Sequence, residues 1–79
     1  MSELCLLDIP PGGSAVVVRL CACGNMRRRL LDLGLVEGAR VECLGRSPLG
    51  DPSAYLIRGA VIAIRSEDSR KIIVRGCLG

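Results

Sequence analysis

Turn-forming residues cut this chain so finely that only short strands and one brief helix fit between them. Pro10-Pro11-Gly12-Gly13, Gly24-Asn25, Gly34, Ser47 to Pro52, Gly59 and Ser66 to Ser69 punctuate 79 residues. Gly and Pro are the strongest local breakers of regular structure. The stretches between them are rich in Val, Ile and Leu, the pattern of strands bounded by turns. Ser14 to Leu20 reads as the first strand, and its nearly unbroken apolar run predicts burial on both faces or a bend. Ala39 to Gly45 alternates around Val41, Glu42 and Cys43. Ala54 to Arg58 and Ala60 to Arg65 predict a hairpin turning at Gly59, and Lys71 to Arg75 the last strand. Five short strands with close turns predict a mainly β fold, a small barrel or sandwich. Closing the barrel would remove the edges that such apolar strands expose.

One segment has a helical period. Met26, Leu30 and Leu33 fall at i, i+4 and i+7, which is one helix face. Asn25 is the expected N-cap and Gly34 the expected C′ residue. A helix of about eight or nine residues does not stand alone in water. It must pack those three side chains onto the sheet.

The length predicts a single domain over residues 1–79. A chain this small buries only about 60% of the surface it exposes when unfolded, so its core is thin. With one tyrosine and neither Trp nor Phe, that core must come almost wholly from aliphatic side chains. No apolar run approaches the roughly 18 residues of a membrane span. The N-terminal residues carry no basic leader pattern. The expectation is a soluble, cytoplasmic protein.

Catalytic equipment is sparse. The chain has no histidine, the commonest general base and metal ligand. Glu67 and Asp68 adjoin in a polar turn and are expected to be solvated. Gly12-Gly13 lacks the Lys-Ser/Thr of a phosphate loop. A net charge of +3 is mild for a nucleic-acid binder, and Tyr55 alone is a poor stacking platform. The chain is expected to bind a partner, to bind no nucleic acid and to catalyse nothing.

Five cysteines are an odd count, which argues for reduced thiols over a disulfide framework. Cys21-Ala22-Cys23 sets two thiols at i and i+2, facing the same way along an extended chain. They are the candidate ligands if the protein holds a metal. As small hydrophobes they need no such role.

Arg27-Arg28-Arg29 stands at the start of the helix, the wrong end for cations. These arginines either cover a solvated face or meet a partner's carboxylates or phosphates. Arg28 and Asp32 have the spacing of an ion pair. Leu31 points away from the Met26/Leu30/Leu33 face, as a flank of the core or an exposed anchor, and with Leu35 and Leu49 it could line an apolar binding patch, although each of these leucines taken singly fits the core better.

Taken in order along the chain, several segments resemble the FeoA family. Leu7-Asp8-Ile9-Pro10-Pro11-Gly12 is similar to its opening. The stretch Arg29 to Gly38 resembles its helix-and-turn signature, and Ser47-Pro48-Leu49-Gly50-Asp51-Pro52 its Pro-Leu-Gly-Asp-Pro loop. Ala63-Ile64-Arg65 and Ile72-Ile73-Val74 are similar to its closing strands. Glu37 stands where the family often has Pro. Cys21 and Cys23 lie outside the pattern.

The resemblance implies a small SH3-like five-stranded barrel with a short α-helix inserted after the first strand. It implies an accessory protein of bacterial ferrous iron uptake whose partner is the cytosolic portion of a FeoB-type GTPase-permease. Contact with the membrane's inner face would be through that partner only. The residues expected to carry docking are Arg27, Arg28, Leu31, Pro48, Leu49 and Asp51. No cofactor is required on this reading. The alternative is a small transition-metal protein holding Fe2+ or Zn2+ on Cys21 and Cys23. Oligomeric state is open.

Overall fold

Ser14–Leu20 forms the expected first long strand and organises the rest of the chain. In the computed structural model, residues 3–76 are described. In chain order the elements are β1 (Leu4–Cys5), a 3-10 turn (Leu6–Asp8), β2 (Ser14–Leu20), α1 (Gly24–Asp32), β3 (Arg40–Arg46), β4 (Ser53–Ile57), β5 (Ala60–Ile64), α2 (Ser66–Ser69) and β6 (Ile72–Gly76). One antiparallel sheet runs in the order β1-β6-β2-β3-β4-β5. The mainly β fold with one inserted helix is therefore present. The leader adds a two-residue strand to the five expected, and hydrogen bonds among the described residues leave the ring open between β5 and β1.

Two bulges give the sheet its curl. The β2–β6 register shifts between Val17 and Arg19, and the β3–β4 register between Cys43 and Gly45. Each leaves a residue, Val18 or Leu44, without a partner and bends its strand. The bend anticipated in the Val-rich strand is the first of these. β4 and β5 meet in a two-residue turn, with Arg58 at φ 52 and Gly59 at φ 81, the backbone of the tight hairpin.

The core lies on the concave face. Leu6, Ala15, Val17, Leu35, Val41, Cys43, Ile57, Ile72 and Val74 are all at most 1% exposed. The lone aromatic is also inside, with Tyr55 at 0%. Its hydroxyl borders Ser53 and Ser69, but no hydrogen bond closes on it. Burial first, then the nearby Cys43 thiol, raises the Tyr55 pKa above its ordinary value of 10.0. Leu35, for which the sequence favours the core over a surface patch, is 0% exposed. It follows the helix directly and is drawn into the core by the helix terminus described below.

Candidate functional site: the outer face of α1 and its neighbours

The inner face of α1 is fixed by packing. Leu30 is buried, and Met26 and Leu33 lie half-buried against the core, as the spacing predicts. The helix ends at Gly34, where φ is +101. Gly34 N–H donates to Leu31 O at 3.0 Å, and Leu35 N–H donates to Leu30 O at 3.1 Å. Those two bonds satisfy carbonyls that a helix end leaves free, and the Leu30/Leu35 pair seals them with an apolar contact.

The start of α1 is different. Asn25, the expected N-cap, lies inside the first turn. The N-cap is Cys23, with an extended backbone and no side-chain cap bond. Gly24 at φ +63 swings the chain into the helix one residue before Asn25 is reached. Arg27 and Arg28 follow, both exposed and without an ion pair among the described residues. The expected Arg28–Asp32 bridge does not form. Both side chains instead border one open concavity of about 370 Å³, together with Gly24, Arg27 and Leu31. A smaller hollow of about 120 Å³ opens on the other flank, where Leu31 and Arg27 meet Val18 and Leu20. Half-buried Leu31 is thus a ridge between two hollows, with Arg27 on both.

Arg29 turns the other way. Its Nη2 donates to Asp68 Oδ2 at 3.1 Å. Asp68, expected to be solvated, is only 7% exposed, with its carboxylate turned toward Arg29 of α1. With Arg29 largely in water, this pair contributes little net stability. It does fix how α2 sits against α1.

The Ser47 to Pro52 loop is held just as specifically. Gly50 N–H donates to Ser47 O at 2.8 Å, and Ser47 N–H to Pro52 O at 3.0 Å. Asp51 accepts from Ser66 N–H at 2.8 Å and from Ser66 Oγ at 3.2 Å. Its carboxylate thus caps the first turn of α2 and is engaged within the chain. Pro48 is exposed, and Leu49 at the tip is 94% exposed. The structure therefore brings Arg27, Arg28 and Leu31 together on one helix face. Pro48, Leu49 and Asp51 form a separate loop, tied back to that helix through α2.

One surface escaped the sequence reading. Leu44, Pro52, Ala54 and Ala63 border a hollow of about 350 Å³ on the outer side of β3, β4 and β5. Val61 beside it is 67% exposed. Ala60-Val61-Ile62-Ala63-Ile64 lacks the polar alternation of a strand with a wetted face, and that was the available signal.

Cys21 and Cys23 are exposed, while Ala22 between them packs against the core. They lie just beyond β2, in the connection to α1. Cys43 is buried, and Cys5 Sγ donates to Asp8 Oδ2 at 3.3 Å. Cys77 lies outside the described residues.

The FeoA domain model matches residues 4–76. The chain belongs to the FeoA family. Among relatives, the Fe(2+) transport protein A/Fe(2+) transporter FeoB fusion protein of Porphyromonas gingivalis is 36% identical over 69 residues. That match covers 87% of this chain and 8% of the fusion protein, so the chain spans under a tenth of that relative's length. The FeoA-like protein of Clostridium acetobutylicum superposes with a TM-score of 0.91 at 25% identity, covering 100% of this chain and 92% of that one. The FeoA of Stenotrophomonas maltophilia, a prokaryotic SH3 domain protein solved in complex with zinc, has a TM-score of 0.81 at 26% identity over 91% of this chain and 89% of its own. The SH3-like architecture of this FeoA domain follows from those likenesses.

A tetrahedral structural zinc site takes four N, S or O ligands. Among the described residues, no group of three or more His, Cys, Asp or Glu side chains is placed to hold a metal ion. The described residues do not fit such a site.

Proposed function

We propose that this FeoA domain is an accessory binding module of bacterial ferrous iron uptake. It docks on the cytosolic portion of a FeoB-type GTPase-permease and regulates or assembles it. The observation that carries this reading is the Porphyromonas gingivalis fusion protein, whose name joins transport protein A to the transporter FeoB. Joining two modules in one chain makes their encounter intramolecular, with effective concentrations up to the millimolar range for short linkers. Such a fusion is useful when the two parts work in contact.

On this reading the domain needs no catalytic group and no resident cofactor. It acts in the cytoplasm and reaches the inner face of the membrane through its partner. No described helix is long and apolar enough to cross a membrane.

Leu31 is the apolar anchor, presented as a ridge between hollows that a partner's side chains can fill. Arg27 and Arg28 carry free positive charge on both sides of it, and such charges set register and on-rate more than affinity. Leu49 is a second anchor at the tip of a loop made stiff by Pro48 and Pro52. Asp51 acts as a positioning residue by clamping that loop onto Ser66. A pre-ordered loop loses little entropy on docking.

The test is pull-down and titration against the cytosolic portion of the permease. Leu31→Glu is expected to weaken binding by about 2 kcal/mol or more, the scale of a buried anchor. Arg28→Glu is expected to lower the association rate and its salt dependence. A folded Arg28→Glu/Leu31→Glu double variant that still binds and still supports iron uptake would overturn this surface.

A further inference from the structure

Strand β5 is a sheet edge with nothing to discourage pairing. The sheet ends on it, and among the described residues no strand covers its outer side. Natural edges are blunted by charged side chains, proline or a bulge. Ala60-Val61-Ile62-Ala63-Ile64 has none of these, and its register with β4 is unbroken. The two-residue turn makes Ile57 and Ala60 a hydrogen-bonded pair. Bonded pairs alternate along an antiparallel ladder, so Tyr55/Ile62 and Ser53/Ile64 are bonded too. Val61 and Ala63 therefore turn their N–H and C=O groups away from β4. Among the described residues neither finds a backbone partner elsewhere.

Those groups are self-complementary. Place a second β5 antiparallel to the first, with Ile62 on the twofold axis. Val61 of each copy then stands opposite Ala63 of the other. Such opposed residues exchange two hydrogen bonds, so the two pairs make four. The side chains fit in the same register. On the outer face, β4 and β5 carry one small row, Ala54–Ala63, and one large row, Leu56–Val61. Pairing joins each small row to the other copy's large one. Val61, 67% exposed, comes against Ala63 at the rim of the hollow of about 350 Å³, a cross-strand contact of the kind that stabilises sheets. The strand ends match in charge. Arg58 comes opposite Ser66 of the second copy, beside its Glu67 and the Asp51 carboxylate that Ser66 holds. Those two carboxylates outnumber the one like charge there, Arg65. Arg58 and Glu67 are exposed and have no ion pair among the described residues.

We propose that β5 is a dimerisation edge, through which two copies of this chain form one continuous antiparallel sheet. Pairing β5 with β1 of another copy would be head-to-tail and engage only two residues, whereas β5 with β5 closes on itself. The inference goes beyond the docking function. Arg29 and Leu33 are the helix residues that border β5, while Arg27 and Leu31 lie toward β2, so the docking face stays open.

The experiment is sedimentation equilibrium of the reduced full chain over a concentration series, with amide exchange followed by NMR. A monomer–dimer equilibrium is expected, and the Val61 and Ala63 amides should exchange more slowly as the dimer fills. Val61→Pro removes an outward N–H that makes no bond to β4, a placement edge strands tolerate, and is expected to abolish the dimer. Val61→Lys puts a charge on the edge twice about the axis and is expected to weaken it by at least about tenfold. Glu67→Arg is expected to weaken it about fivefold. Arg58→Asp added to Glu67→Arg is expected to restore it, since Asp tolerates the positive φ at this position. Circular dichroism checks folding, and Val61→Lys decides the matter if Val61→Pro does not fold. A protein monomeric up to about 1 mM, the weak end of the affinity scale, would overturn the proposal. So would species larger than a dimer, full-strength dimers of folded Val61→Lys, exchange at Val61 and Ala63 that ignores concentration, or no restoration in the double variant.

Discussion

Helix α1 is finished at one end and bare at the other. Its C-terminal end closes through Gly34 and Leu35, with two backbone bonds and a buried Leu30/Leu35 contact. Its N-terminal end has a cysteine cap that makes no side-chain bond, and cations where the helix dipole favours anions. For stability alone, the first turn would carry Ser or Asp and an acidic residue. The contrast separates the two tasks of a short helix. One end anchors it in the barrel. The other presents charge and sulfur to solvent at some cost in stability.

The sharpest way to break this comparison is at the anchored end. Leu30→Ala empties a fully buried position, and such changes cost about 2–5 kcal/mol. In urea titrations the midpoint should fall steeply. Gly34→Ala should follow with about 1–2 kcal/mol, since an L-residue is strained at this positive φ. The added Cβ would also stand 3.2 Å from Ile57 Cγ2. If either change left the midpoint unaltered, the C-terminal closure would not be what holds the helix.

The bare end predicts the opposite sign. Cys23→Ser should raise stability by about 0.5–1 kcal/mol, by adding the hydroxyl acceptor that favoured N-caps supply. Arg28→Glu should change thermal stability by no more than about 0.5 kcal/mol, as for most surface positions, and should shift it upward because it favours the dipole. A large loss from either would show that the first turn is structural after all.

The core beneath the helix supplies a pH test. Tyr55 titrates above its ordinary 10.0 because burial opposes the phenolate. The folded state therefore favours the neutral ring. Its contribution is complete below pH 10 and is lost as the pH climbs from the unfolded value toward the folded one. Tyr55→Phe should flatten that alkaline loss. Near neutral pH it should cost little, because no hydrogen bond closes on the hydroxyl in the fold.

Much of this architecture was legible in the residue order, and the exceptions have physical causes. Strand positions followed from β-branched runs between turns, and the C-terminal stop of α1 from a glycine after a periodic segment. Both are local signals. The N-cap was misplaced because Asn25 has the better side chain, whereas the backbone turns at Gly24. The residues around Asp68 predict a solvated turn, and those around Leu35 leave a surface patch open beside the core, because nothing within a few residues says what covers them. Their burial depends on contacts made across the fold, Leu35 in the barrel core and Asp68 against Arg29. Of the docking residues, the grouping of Arg27, Arg28 and Leu31 follows from helical spacing. The engagement of Asp51 with Ser66 joins residues fifteen positions apart and left no local trace. The apolar hollow behind β5 was visible only as missing alternation.

That clasp between Asp51 and Ser66 has a consequence for which versions of this domain can exist. Exposed loops ordinarily accept insertions and deletions readily. Here the chain between the two residues is β4, a two-residue turn and β5, a hairpin of set length. The carboxylate reaches Ser66 only if Pro52 and the hairpin deliver it at the right distance. An extra residue at Pro52 would move Asp51 off α2 and release Leu49 from its fixed position. The segment that looks freest to drift in length is thus cut to measure, and length variation in this fold should collect elsewhere on its surface.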